Sequence, residues 1–166
     1  MAISQHIKNA RQGSLTATDG SAVVFTLSMT EGNFSISGLM EGPSSKPTEV
    51  EAIQDRGVHH DLGYTNQVYP SGSFSGVWTD LRDGIEKTPM DLVTALGAFA
   101  SSNSTLGTGK PWTVDLEWTV NGTSLGDGAN HTLTLGDCRL TFDGTEGMPA
   151  NQFTINYTCY GAISAT

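Results

Sequence analysis

From Trp112 to Val120 a large apolar residue occupies every second position: Trp112, Val114, Leu116, Trp118 and Val120. Thr113, Asp115, Glu117 and Thr119 fill the gaps. A strand turns successive side chains to opposite faces, whereas a helix would scatter these five residues around its circumference. The run therefore predicts a strand with one buried and one wet face. The same two-residue period returns in Val23, Phe25, Leu27 and Met29, in Phe74 and Trp78, and in Phe153, Ile155, Tyr157 and Cys159. Half-buried strands recurring along most of a chain predict a mainly β protein, an antiparallel β-sandwich or barrel.

Turn chemistry divides the chain between these runs. Residues 1–13 carry Lys8 and Arg11 without a period and read as an N-terminal arm, leaving 14–166 as a single β-domain. Asp19-Gly20 predicts a two-residue hairpin turn, and Glu31-Gly32-Asn33 a second turn before a strand opened by Phe34 and Ile36. Met40 to Thr48, with Gly42, Pro43 and Pro47, reads as a connection and Glu49 to Asp55 as a strand. Arg56 to Pro70 is a loop or long hairpin tip, followed by a strand over Ser71 to Leu81. The period then changes. Thr88-Pro89-Met90-Asp91 combines an N-cap, a proline at the first helical position and an acid in the first turn. Leu92, Leu96 and Phe99, with Val93 and Ala100, form one stripe, so a helix is predicted over about residues 89–100. In the strand from His131 to Phe142 the apolar positions are odd at Leu133 and Leu135 but even at Cys138, Leu140 and Phe142. One extra residue in a β-bulge at Gly136-Asp137 would restore the inward face.

Composition excludes several functions. With 37% hydrophobic and 15% charged residues, 166 residues are enough for one core. A net charge of −9 argues against a surface that grips nucleic acid, which needs clustered Lys and Arg. It is compatible with a surface past which nucleic acid must slide. No apolar run approaches the roughly 20 residues of a membrane span, and Met-Ala-Ile-Ser-Gln-His lacks the regions of a signal peptide, so synthesis in the cytoplasm is expected. Two cysteines make no disulfide framework. An antiparallel register pairing Phe142 with Ile155 and Leu140 with Tyr157 sets Cys138 opposite Cys159, while a two-residue slip sets Cys138 opposite Tyr157; both cysteines read as reduced, buried apolar residues.

Catalytic constellations are missing, and the expectation is a protein that is not an enzyme and needs no cofactor. His59-His60-Asp61 is the one cluster with metal-ligand chemistry, but adjacent strand residues point apart and no third nitrogen or sulfur stands at a ligand spacing, so no metal is expected. Asp55, Asp61, Asp80, Asp83 and Glu86 could supply a carboxylate pair for glycoside hydrolysis, yet scattered loop acids are the ordinary result of an acidic surface. There is no Gly-x-Ser-x-Gly elbow, phosphate loop or dinucleotide glycine pattern. The Asn-x-Ser/Thr triplets at Asn33, Asn103, Asn121, Asn130 and Asn156 would matter only in a secreted chain. Glu49, Glu51 and Asp55 share one strand face and Val50 and Ala52 the other. This is either a plain solvated face or an acidic wall multiplied around a ring of subunits.

The order of elements resembles the major tail tube proteins of long-tailed bacteriophages. The carriers are the arm, a Gly-x-Leu-x-x-x-Asp-Gly hairpin (Gly13, Leu15, Asp19, Gly20) and Glu-Gly-x-Phe-Ser (Glu31, Gly32, Phe34, Ser35). Asp-Arg-Gly (Asp55, Arg56, Gly57), Pro-Ser-Gly-Ser-Phe (Pro70 to Phe74), one helix and a β-rich second half complete the likeness. The resemblance implies a β-sandwich flanked by a helix, six copies closing into a ring, and rings stacking into a tube that holds a tape-measure protein and later DNA. The implied partners are the chain itself, the tape-measure, tail terminator and tail tip proteins, with DNA passing unbound and no membrane; the implied location is the virion, after assembly in the host cytoplasm. Glu49, Glu51 and Asp55 would be the channel wall, and Met40 to Thr48 with Arg56 to Pro70 the ring-to-ring contacts. The alternatives are a phage decoration or head-to-tail connector subunit, and a secreted β-sandwich adhesin or carbohydrate-binding module. The last needs exposed Trp and Tyr, whereas Trp112 and Trp118 stand on an apolar face.

Overall fold

The computed structural model of the chain describes residues 13–27, 33–78, 88–96, 99–122, 128–148 and 150–166. The expected arm, apart from Gly13, falls outside them, as do Glu31 and Gly32. Nine strands are described: β1 (Gly13–Thr18), β2 (Val24–Leu27), β3 (Thr48–Asp55), β4 (Val58–Gln67), β5 (Ser71–Val77), β6 (Val114–Val120), β7 (His131–Thr145), β8 (Gln152–Cys159) and β9 (Ile163–Ala165). One helix, α1 (Pro89–Thr94), precedes β6. The fold is mainly β, a curled antiparallel sheet or half-barrel with a single short helix, as the two-residue period predicted. Seven strands make the sheet in the order β2-β1-β6-β7-β8-β5 with β9 also on β7, while β3 and β4 form a separate two-stranded sheet.

Alternation decides what is buried. Leu15 and Ala17 of β1, Phe25 and Leu27 of β2, Phe74 of β5, Val114 and Leu116 of β6, and Phe153, Ile155 and Tyr157 of β8 form one core. Leu92 of α1 and Phe99 close over it, and Phe25 meets Phe99 edge to face with ring centroids 4.7 Å apart. The expected β6 face is observed with one refinement. Val114, Leu116 and Val120 are buried, while Trp112 and Trp118 are half-buried rims of the core. Trp118 stacks on Phe34 at 4.9 Å, and Trp112, just before β6, donates its indole N–H to the Leu92 carbonyl at 2.7 Å, tying α1 to the sheet.

The bulge at Gly136-Asp137 lies where the change of phase predicts it. β6 pairs Leu116 with Leu135 but Val114 with Cys138, so two steps on β6 face three on β7. Asp137 takes the left-handed conformation (φ 50°), its N–H donates to Asp115 Oδ1 at 2.9 Å, and its own Oδ1 accepts from Thr105 Oγ1 at 2.8 Å. β8 and β9 lie on the same side of β7 and are interrupted at 160–162, opposite the bulge, as one strand broken in two. Of the two registers open to the cysteines, the first is formed: Phe142 faces Ile155, Leu140 faces Tyr157 and Cys138 faces Cys159.

Four expectations need correction. The β1–β2 hairpin exists, but its loop runs from Asp19 to Val23, longer than a two-residue turn. Asp19 Oδ1 accepts from the N–H groups of Ser21 (2.8 Å) and Val23 (3.0 Å), and Ala22 carries the positive φ. Gly20 serves close approach: a Cβ there would run into the Ser104 carbonyl. Second, Phe34 and Ile36 open no full strand. Asn33 to Ser37 runs beside β5, joined by one bridge between Ser37 and Ser71, with Ser35 Oγ and Asn33 bonding to Ser73 and Ser75. Hydroxyls and an amide there replace part of the ladder. Third, Arg56 to Pro70 is chiefly β4, paired with β3. Fourth, α1 stops at Thr94. Thr94 Oγ1 turns back to the Met90 carbonyl and Ala95 adopts φ 54°, a left-handed cap, so Leu96 leaves the stripe and is 62% exposed. The start of α1 is as predicted, with Thr88 and Asp91 forming a reciprocal capping box.

Candidate functional site

The hairpin of β3 and β4 stands apart from the core, and its geometry starts from its turn. Asp55 pairs with Val58 across Arg56 (φ 50°) and Gly57 (φ 81°), the two positive φ values of a type I′ turn, whose twist matches that of the strands. Along β3 the alternation is uninterrupted. The register shifts twice, and both extra residues lie on β4: Thr48 to Val50 faces Gln67 to Tyr64, and Ile53 to Gln54 faces Asp61 to His59. Directly paired residues share a face. One face therefore carries Glu49, Glu51, Ile53 and Asp55 with Val58, Asp61 and Gly63, and the other carries Val50, Ala52 and Gln54 with Leu62, Tyr64 and His59.

The sequence-predicted acids Glu49, Glu51 and Asp55 are thus brought onto one face, and Asp61 joins them. Strand rise puts Glu49 and Glu51 about 7 Å apart along β3 and Asp55 about 13 Å beyond Glu51. All are exposed. Gly63 keeps that face low, since a Cβ there would sit 3.2 Å from Ile53 Cδ1. The opposite face exposes three large apolar side chains: Val50 is 53%, Leu62 60% and Tyr64 52% exposed. Burying such a face is worth about 25 cal/mol per Å², and an isolated two-stranded hairpin is marginal in water.

The hairpin is held at its base. Thr48 N–H donates to the Glu41 carbonyl (3.1 Å), Val68 N–H to the Pro47 carbonyl (2.8 Å) and Thr48 Oγ1 to the Lys46 carbonyl (2.9 Å). Part way along, Tyr64 OH donates to Glu41 Oε1 at 2.7 Å, and this bond with the neighbouring carboxylate raises the Tyr64 pKa. Met40 to Thr48 forms the hairpin's footing.

The remaining candidates do not converge. Among the described residues no three His, Cys, Asp or Glu side chains are grouped as metal ligands; His59 and Asp61 lie on opposite faces of the hairpin. Asp55 and Asp61 share a face and are both exposed, and Asp80, Asp83 and Glu86 lie outside the described residues. Among described residues no helix is long and apolar enough to cross a membrane.

A second surface went unnoticed in the sequence: the outer face of the seven-stranded sheet. Paired rows read Ser75, Thr154, Asp143; Ser73, Asn156, Thr141; and Ser71, Thr158, Arg139. The hydroxyls bond across strands, Ser75 Oγ with Thr154 Oγ1 at 2.9 Å and Thr119 Oγ1 with Thr132 Oγ1 at 3.1 Å. The signal was present as Ser or Thr at most of these positions, but it is indistinguishable from ordinary solubility until strands are ordered.

No family model matches the sequence, and no curated protein matches it. Solved structures do. A chain of the sheath/tube terminator of the extracellular contractile injection system PVC, in the extended state, aligns with TM-score 0.56 and 8% identity over 100% of this chain and 97% of its own. A chain of the anti-feeding prophage tube-terminating cap aligns with TM-score 0.57 and 9% identity over 100% and 94%. One from the PVC sheath-tube complex gives TM-score 0.51 and 8% identity over 92% and 87%. At these identities the likeness is one of fold, shared with components of phage-like contractile injection systems.

Proposed function

We propose that this protein is a non-catalytic structural subunit of a phage-type tail, and that copies of it close into six-membered rings which stack as the tail tube. The observation that carries the reading is the β3–β4 hairpin, with Val50, Leu62 and Tyr64 exposed on one face, Glu49, Glu51, Asp55 and Asp61 on the other, and hydrogen bonds to the described remainder of the chain at its base and at Tyr64. A hairpin of this kind gains its stability from a neighbouring copy. A heterologous contact, in which the hairpin of one subunit packs on a different surface of the next, generates rings or filaments. The fold shared with tube-associated chains of injection systems supports the same reading. In the assembled tube Glu49, Glu51 and Asp55 are the proposed acidic channel wall, repelling DNA phosphates so that the genome passes without binding. The tape-measure, terminator and tip proteins are the proposed partners, and the virion the location. A second reading, a subunit that ends the tube, is favoured by TM-scores of 0.56 and 0.57 to the terminator and cap chains against 0.51 to the sheath-tube chain.

Electron microscopy of the purified chain tests both. Stacked tubes support the first reading and single six-fold rings the second. The double variant Val50→Asp and Leu62→Asp removes the apolar face from a segment that contributes nothing to the core, so it is expected to stay folded and to remain monomeric. A strictly monomeric wild-type protein at high concentration refutes the proposal.

A further inference from the structure

Cys138 and Cys159 belong to no surface described so far. They face each other across β7 and β8, and the ladder phase fixes what kind of pair they are. Cys159 N–H points away from β7, donating to the Pro70 carbonyl at 2.8 Å, while one step further Tyr160 N–H donates to the Asp137 carbonyl on β7. Hydrogen-bonded and non-hydrogen-bonded pairs alternate along an antiparallel ladder, so Cys138 and Cys159 are a non-hydrogen-bonded pair, the narrow kind, with Cα atoms about 4.5 Å apart. That lies within the roughly 4.4–6.8 Å that a disulfide spans. Neither side chain is more than 1% exposed. Both thiols are turned toward the bulge, Cys138 Sγ–H donating to the Leu135 carbonyl (3.4 Å) and Cys159 Sγ–H to the Gly136 carbonyl (3.1 Å).

We infer that Cys138 and Cys159 form a dithiol that closes into an intrachain disulfide, without rearrangement of the strands, when the protein meets a small-molecule disulfide. Beside the pair the only backbone bond from Tyr160 to β7 is a long 3.4 Å one to the Asp137 carbonyl, and local opening of the segment from Tyr160 to Ala162 admits the reagent. One thiol loses its proton to solvent and its sulfur attacks the reagent's S–S bond, releasing one small thiolate and leaving a mixed disulfide. The second sulfur, likewise deprotonated, attacks the protein-side sulfur and expels the second small thiolate. Two protein thiols are oxidised, one small disulfide is reduced, and both protons end on the released thiols. The bridge would staple β7 to β8 where the bulge bends the sheet. The inference is independent of whether the chain assembles.

The test uses the full chain in its native state. It is incubated with oxidised glutathione, then denatured in iodoacetamide and weighed by mass spectrometry. The expected product is two hydrogens lighter, takes up no alkyl groups, and yields a peptide joining residues 138 and 159. By loop-closure entropy its Tm should rise by roughly 6–12 °C and fall back on reduction with dithiothreitol, with the tryptophan emission spectrum unchanged throughout. Cys138→Ala, which keeps Cys159, should stop at the glutathione adduct. Two alkylated thiols in the treated wild type, a persistent glutathione adduct, a bridge between chains, or a bridged product that melts lower would each overturn the inference.

Discussion

Deleting Asp137 is the sharpest test of how this sheet is built. The bulge adds one residue to β7, and that residue alone lets Leu135 and Cys138 both face the core. Without it, everything from Cys138 onward reverses sides. Leu140, 6% exposed, and half-buried Phe142 would turn to solvent, at a cost of about 3–4 kcal/mol. Arg139 and Thr141 would turn inward without partners, adding at least about 2 kcal/mol more. The sum is comparable with the whole stability of an ordinary domain, about 5–15 kcal/mol. Asp137→Gly is the matched control. It keeps the residue count and relieves a left-handed φ of 50°, and it loses the hydrogen bond from Thr105; relief of about 1 kcal/mol against a bond worth about 0.5–1.5 leaves it within roughly 1 kcal/mol of wild type. Urea unfolding followed by tryptophan fluorescence reads both. A deletion variant with a cooperative transition at the wild-type midpoint would show that the bulge does not set the inward face.

Leu116→Ala, at a fully buried position, should cost about 2–5 kcal/mol; Trp118→Ala, at the half-exposed rim, should cost less than Leu116→Ala, and the reverse order in chemical denaturation would contradict the burial described. Gly72→Ala drives a Cβ into the Ser35 carbonyl and to within 2.8 Å of the Tyr157 hydroxyl that donates to it, so a loss of about 1–3 kcal/mol is expected, measured by thermal unfolding. Burial raises the Asp115 pKa above the ordinary 3.8, so the folded state holds this proton more tightly than the unfolded one; its contribution is full below pH 3.8 and declines as pH rises through the raised value. Asp115→Asn, able to keep the 2.9 Å acceptor for Asp137 N–H, should flatten that part of the Tm against pH profile, and an unchanged profile would refute the assignment. Replacing Glu49, Glu51 and Asp55 with lysine should leave the melting temperature within a few degrees, as exposed charges contribute little, while assembled particles eject DNA slowly in low salt; normal ejection would remove these residues from the wall.

What was legible in the sequence follows from what a period can encode. Alternation in Trp112 to Val120 and in Phe153 to Cys159 marks inward faces, and the jump from Leu135 to Cys138 marks a bulge, because a buried face must be kept along a strand. Thr88 and Asp91 mark a helix start for the same local reason. The end of α1 was not legible: Leu96 and Phe99 keep helical spacing, and only the left-handed turn at Ala95 breaks it. Nor was β4, whose two extra residues scramble its alternation, and whose turn uses Arg56 in a conformation more often taken by Asn or Asp. The acidic face of β3 was legible residue by residue. The exposed apolar side chains behind it were not, since Leu62 and Tyr64 fall in register with Ala52 and Val50 only once the bulge nearer the turn is known.

The hairpin's footing at Glu41, Pro47 and Thr48 has an evolutionary consequence. A segment joined to the body by a few bonds at one end can be lengthened, shortened or exchanged without repacking Leu15, Phe74 or Leu116. On the proposed reading, changes of partner can therefore accumulate in β3 and β4 while the sheet diverges under a separate constraint, the volume of its core. Lineages built this way would keep a superposable body long after their contact residues ceased to be alignable, and grafting a relative's hairpin onto this footing should transfer its choice of neighbour.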